Sequence, residues 1–300
     1  MSCMDHRDRR HAVVVGFDDS AGSRHAVQWA AAEASARERA LVIVHALDLH
    51  PAAGAHVRQP VLDPVDRPRR ETAIRALSPL VTETRRSAPD LDVVATLSDT
   101  DATTAISDIT AELDGALIVV GSSGHSALPR MLIGSTAADL VHAARQITVI
   151  VRGNENSATD GPVLVGVDGT DFTAKLFDFA FQHAAAHGNT VHAIHALGAR
   201  WLGLVGPAFN PDRRAAPPGA ATAEFARRHL DERRKRYPDV PATFDVVDDR
   251  PAQALVDRSD MASLVVVGNR RHGPIRRTVF GSVSHALLYH AKCPVAVVPS

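Results

Sequence analysis

Residues 119–136 read VVGSSGHSALPRMLIGST, and residues 266–284 read VVGNRRHGPIRRTVFGSVS. In each, a Val-rich run ends in glycine, an irregular stretch follows, and a Gly-Ser pair opens an amphipathic segment. That text specifies a buried strand, a loop and a helix start. Its appearing twice marks an internal repeat. The repetition continues outward. AVVVGFDDS at 12–20 matches VLVGVDGT at 163–170, setting Asp168 against Asp18. LVIVHAL at 41–47 matches TVHAIHAL at 190–197, and GSTAADLVHAARQITVIV at 134–151 matches GSVSHALLYHAKCPVAVV at 281–298. The polar segment GNENSATDG at 153–161 has no apolar period and reads as a linker. Two domains are expected, over residues 1–153 and 161–300, close to the ~150 residues that a chain of this length assigns to each domain.

Within each half, short Val- and Ile-rich runs alternate with longer Ala-, Glu- and Arg-bearing stretches. In the first half the runs are AVVVG, LVIVHAL, LDVVATL, ALIVVG and ITVIV. Runs that are apolar on both faces suit a parallel sheet covered by helices on both sides. Strand alternating with helix gives βαβ units and an α/β, Rossmann-like doubly wound fold in each half. Ser20 or Ser23 is placed to cap the first helix. Long connections after the second strand of each half, HPAAGAHVRQPVLDPVDRP and GARWLGLVGPAFNPDRRAAPPGA, read as loops, of the length that lids or tolerated insertions have.

Composition narrows the class. The chain has 300 residues, 45% hydrophobic and 22% charged, as in ordinary globular proteins. With 33 basic and 34 acidic residues the net charge is -1, which argues against a broad nucleic-acid or anionic-membrane surface. The N-terminal MSCMDHRDRR lacks an apolar core, and no apolar run approaches the ~18 residues of a membrane span. Cys3 and Cys293 are the two cysteines, and no disulfide framework follows from them. A cytoplasmic location is expected.

The chemistry points to an anion cradle. In open α/β sheets, ligands sit beyond the carboxyl ends of the strands. Gly16-Phe17-Asp18, its copy Gly166-Val167-Asp168, and the glycine loop after the fourth strand of each half all fall there. Gly121 is read as a sharp exit from the strand that uses glycine's freedom at positive φ. Gly124 lets backbone N–H groups approach an anion, and Gly134-Ser135 opens a helix whose N-terminal amides and dipole attract phosphate. The text is not a Walker loop, and its glycines follow the fourth strand, where the dinucleotide fingerprint follows the first. No histidine or cysteine grouping stands out as a metal-ligand set among the 16 histidines, and no nucleophile–base pair is evident. A Mg²⁺ ion on nucleotide phosphates is a further option for Asp18 and Asp168.

The pattern Gly121-x-x-Gly124-x9-Gly134-Ser135, together with VGFDDS at 15–20, resembles the universal stress protein family over essentially the whole chain, twice. It is similar to the tandem-domain form found in actinobacteria. The resemblance implies two five-stranded parallel sheets of order 3-2-1-4-5 and, as in many members, ATP binding. It implies that Gly121, Gly124, Gly134, Ser135 and the Thr136 backbone hold phosphates, that Asp18 meets the nucleoside, and that Ala46 offers backbone groups to adenine. The matching residues in the second half are Asp168, Ala196, Gly268, Gly281 and Ser282. It further implies a regulatory role in stress response or dormancy, with nucleotide occupancy setting conformation or the choice of an unknown protein partner. A slow ATPase and a scaffold that binds no nucleotide are the alternatives. The last strand of each half would pair the halves as an internal pseudo-dimer, with a homodimer of whole chains left open.

The second copy departs from the motif. Arg271 stands where Gly124 stands in the first, and Gly273 comes two residues later. Arg271 brings a Cβ where the backbone should approach phosphate, and also a guanidinium that can pair with it.

Overall fold

A computed structural model describes residues 9–49, 66–114, 116–122, 133–143, 145–152, 160–170, 172–198, 220–269 and 281–299. The chain divides into two compact units between Val151 and Arg152.

In the first unit, β1 (Val13–Gly16), β2 (Leu41–Ala46), β3 (Val93–Ser98), β4 (Leu117–Gly121) and β5 (Thr148–Val151) alternate with helices. The helices are α1 (Ala21–Ala36), α2 (Asp66–Ser87), α3 (Ala102–Glu112) and α4 (Ser135–Ala143). All pairings are parallel, in the order β3-β2-β1-β4-β5. Each Val-rich run anticipated from the sequence is a strand. Val13, Val14 and Val15 of β1 and Ile118 and Val119 of β4 are 1% exposed or less, because helices cover both faces of these central strands. Among the described residues β3 pairs with β2 alone, and most of its residues are half-buried.

The second unit repeats this plan. β6 (Val163–Gly166), β7 (Val191–Ala196), β8 (Ala242–Val247), β9 (Leu264–Asn269) and β10 (Val295–Pro299) alternate with α5 (Thr173–His187), α6 (Ala220–Arg236), α7 (Pro251–Val256) and α8 (Ser282–His290). The order is β8-β7-β6-β9-β10, again all parallel. The order 3-2-1-4-5 therefore holds in both units.

Helix starts follow local chemistry. Ser20, one of the two candidates, is the N-cap of α1: its side chain accepts from the Ser23 N–H at 3.2 Å. Asp101 caps α3 through the Thr104 N–H at 3.0 Å. The long connection after β2 ends earlier than the sequence suggested. α2 begins at Asp66, inside the stretch read as loop. An acid in the first turn complements the helix dipole, and Pro68, in that same turn, needs no N–H. The remainder of both long connections lies outside the described residues.

Candidate functional site

β1 and β4 are neighbours in the middle of the first sheet, and their carboxyl ends diverge beneath α4 and α3. A cavity of about 350 Å³ opens there. Asp18, Ala46, Gly121, Gly134, Ser135 and Thr136 all line it, so the structure gathers six of the seven residues singled out in this half. The seventh, Gly124, lies outside the described residues, as do Arg271 and Gly273. The second unit holds a cavity of about 420 Å³ in the same place, lined by Asp168, Ala196, Gly268, Gly281 and Ser282.

One end of the first cavity is a helix N-terminus. The first intrahelical bond of α4 runs from the Ala138 N–H to the Gly134 carbonyl at 3.0 Å. The amides of Ser135, Thr136 and Ala137 precede it and so have no acceptor within the helix. The Gly134 amide is used differently from expectation: it donates to the Ser122 carbonyl at 2.8 Å and so ties the helix start to the end of β4. In the second unit the first bond of α8 runs from His285 to Gly281, and Gly281, the N-cap, offers no side-chain cap. Both helix starts present donors and a positive dipole end to their cavities.

The other end is held by the loop after β1. The Asp18 carboxylate accepts from the Ser20 N–H at 3.1 Å and from the Ser20 hydroxyl at 2.6 Å. The Asp18 N–H donates to the Ser23 hydroxyl at 3.3 Å. Ser23, which also lines the cavity, thus fixes the Asp18 backbone and was not assigned this role from the sequence. Asp168 accepts from the Thr170 hydroxyl at 2.9 Å. Ala46 reaches beyond the last β1–β2 pair, Gly16 with Val44. Main-chain groups of alternate strand residues point to the same side, so those of Ala46 face the β1 side, as Val44 does, where β1 has already turned away.

The floor is apolar. A Cβ on Gly16 would stand 3.0 Å from Ile106 Cδ1, and one on Gly166 would stand 2.8 Å from Leu255 Cδ1. Both side chains line their cavities, carried there by α3 and α7. Sequence reasoning missed them, because an apolar position on a helix carries no signal of which strand end it will cover.

Gly121 corrects an expectation. It is absent from the positive-φ positions, which among the described glycines are Gly169, Gly188 and Gly198. Its requirement is proximity: a Cβ there would lie 2.8 Å from the carbonyl carbon and oxygen of Gly22 in the first turn of α1. At Gly268 the obstacle is the Phe172 ring, at 2.7 and 2.9 Å.

The histidines of the second strands part company. His45 packs its ring against Phe17, with centroids 5.9 Å apart. His195 is buried and lines the second cavity, its Nδ1–H donating to the Val167 carbonyl at 3.0 Å.

Each unit is thus a doubly wound α/β domain with a cleft at the carboxyl ends of its strands, flanked by a helix N-terminus and a single carboxylate. The sequence signature of the universal stress protein family matches residues 9–152 and again 161–299, and the chain belongs to that family. The Universal stress protein Rv2005c of Mycobacterium tuberculosis is 32% identical over 299 residues, spanning 96% of this chain and 97% of the relative. The Universal stress protein Rv2623 of the same organism is 32% identical over 298 residues, spanning 95% of each. A crystal structure of a universal stress protein from Archaeoglobus fulgidus matches with a TM-score of 0.70 at 18% identity, over 97% of this chain and 99% of that one, which shows the shared fold. No described helix is long and apolar enough to cross a membrane.

Proposed function

We propose that this tandem universal stress protein is a regulatory ATP-binding protein, each unit holding an adenine nucleotide in the cleft at its strand ends. The observation that carries the reading is the pairing of opposite chemistries across one cavity. The amides of Ser135, Thr136 and Ala137, which have no acceptor within α4, suit phosphate oxygens, and Asp18 suits hydroxyl donors of a ribose. Between them, the apolar floor at Ile106 and the outer backbone edge of Ala46 suit an adenine ring. Ser282, Asp168, Leu255 and Ala196 offer the same set in the second unit.

The residues lining each cavity include one carboxylate, Asp18 or Asp168. A Mg²⁺ ion accompanying the nucleotide would therefore take most of its oxygen ligands from phosphates and water. Among the described lining residues the one further titratable group is His195 of the second cavity, whose Nδ1 is spent on the Val167 carbonyl, and the reading taken is occupancy over turnover. Nucleotide occupancy would then set the conformation that a protein partner reads.

The direct test is to denature the purified full-length protein and count the adenine nucleotide released per chain, before and after incubation with ATP. Two equivalents mean that both units bind and that Arg271 substitutes for the missing glycine. One equivalent means that the second unit is silent. None, with no uptake of added ATP, rejects the proposal.

A further inference from the structure

We propose that His183 and His187, on the last two turns of α5, form a chelating site for a divalent late transition metal such as Zn²⁺, Ni²⁺ or Cu²⁺. The two residues are four apart on one helix, so their side chains rise on the same face. Their ring centroids are 4.4 Å apart, and a ligating nitrogen of each lies within 4.8 Å of the other's. A metal bound at ~2.0–2.1 Å by each imidazole asks for nitrogens about 3.3 Å apart, within reach of small side-chain rotations.

The two rings differ in exposure. Phe179, one turn before, stacks on the His183 ring at 6.4 Å with 27° between planes, and His183 is 4% exposed. His187 is exposed, giving an ion access from its side. Phe179, His183 and His187 form a column of rings along the helix, which limits the rotamer freedom lost on chelation. Helix position adds to this. His187 is in the last turn, followed by Gly188 in the left-handed conformation that ends α5. The negative end of the helix dipole stabilises a cation there. Imidazole pairs select late first-row ions and are poor ligands for Mg²⁺. The site would therefore not compete for the magnesium of a nucleotide, and it stands independently of the nucleotide reading.

The test is calorimetric titration of the nucleotide-free, full-length protein with Zn²⁺ and, separately, Mg²⁺. The expected result is about one tight Zn²⁺ equivalent and no Mg²⁺ uptake at the same concentration. His187→Ala removes one of the two imidazoles and should weaken Zn²⁺ binding by more than the about 10- to 100-fold typical of losing a group that only supports a ligand. His290→Ala, an exposed histidine on α8, should leave it unchanged. Because His187 is exposed, its variant keeps the fold, which far-ultraviolet dichroism verifies. A wild-type isotherm without a site, or a site that His187→Ala leaves intact, overturns the proposal.

Discussion

A Cβ placed on Gly121, at the end of β4, would stand 2.8 Å from the carbonyl carbon and oxygen of Gly22, in the first turn of α1. Two glycines 99 positions apart thus let a strand end and a helix backbone touch beside the cavity. The equivalent contact in the second unit is between Gly268 and a side chain, the Phe172 ring. Backbone cannot swing aside, whereas a ring can. Gly121→Ala is therefore expected to destabilise the first unit by the larger share of the ~1–3 kcal/mol typical of overpacking, and Gly268→Ala by the smaller. Phe172→Ala should recover stability in the Gly268→Ala background, a coupling that denaturant unfolding of the four variants measures. Equal costs at both glycines would show that α1 yields as easily as the ring.

The cap of α3 has a defined pH signature. Hydrogen bonds from the Thr104 side chain and then its backbone N–H hold the Asp101 carboxyl below its ordinary value of 3.8. The folded state therefore prefers the ionised form. Its contribution is complete above the ordinary carboxylate range and is lost as pH falls through the lowered folded value. Asp101→Ala should cost about 1 kcal/mol at neutral pH, the usual worth of such a cap, and progressively less in acid. Urea unfolding at pH 7 and pH 3 tests both halves of the statement. A cost that is unchanged at pH 3 would assign the effect to shape instead of charge.

Much of this architecture was legible because its signals are local. Val-rich runs with glycine ends, and the doubling of the whole text, specify parallel βαβ units and two domains' worth of them. The order 3-2-1-4-5 came through family resemblance and not from periodicity, since β1 pairing with both β2 and β4 is a long-range choice. That Asp18 lies at a strand end and Ser135 at a helix start was readable because both places have sequence marks, whereas Ala46 entered through the family resemblance. The roles of Ser23, Ile106 and Gly22 were not, for each depends on what another element brings near. The Gly134 amide shows the same limit: its bond to Ser122 is fixed by how the chain returns, not by either residue. The His183–His187 pair stands in the text, but its meaning depends on the helical period of α5.

Cys293 offers a check on the second core. It is buried 1% exposed beside β10, and burial pushes its thiol up to about 12. Reactivity belongs to the thiolate, so at pH 8 almost none of the reactive form is present. In a Cys3→Ser background, a disulfide reagent at pH 8 should modify Cys293 only at the rate at which the second unit opens. Labelling should become fast and complete in denaturant. Rapid labelling under native conditions would place the thiol nearer solvent than the fold does.

Carboxylates at the two helix starts separate binding from folding. Ser135 and Ser282 are the first residues of α4 and α8. Aspartate at such a position favours the helix dipole by roughly 0.3–1 kcal/mol, so neither Ser135→Asp nor Ser282→Asp should lower the melting temperature. Each would, however, set a negative charge where a nucleotide's phosphates are proposed to lie. Affinity should then fall by more than about 10-fold, or ~1.4 kcal/mol, at the altered site alone. Calorimetric titration with ATP should show Ser135→Asp removing the first unit's contribution and the double variant removing all of it. If Ser282→Asp changes nothing while Ser135→Asp abolishes binding, one unit carries the nucleotide and the second cavity serves another purpose. If the double variant binds ATP as the wild type does, the phosphates lie elsewhere and the cradle at these helix starts is not the site.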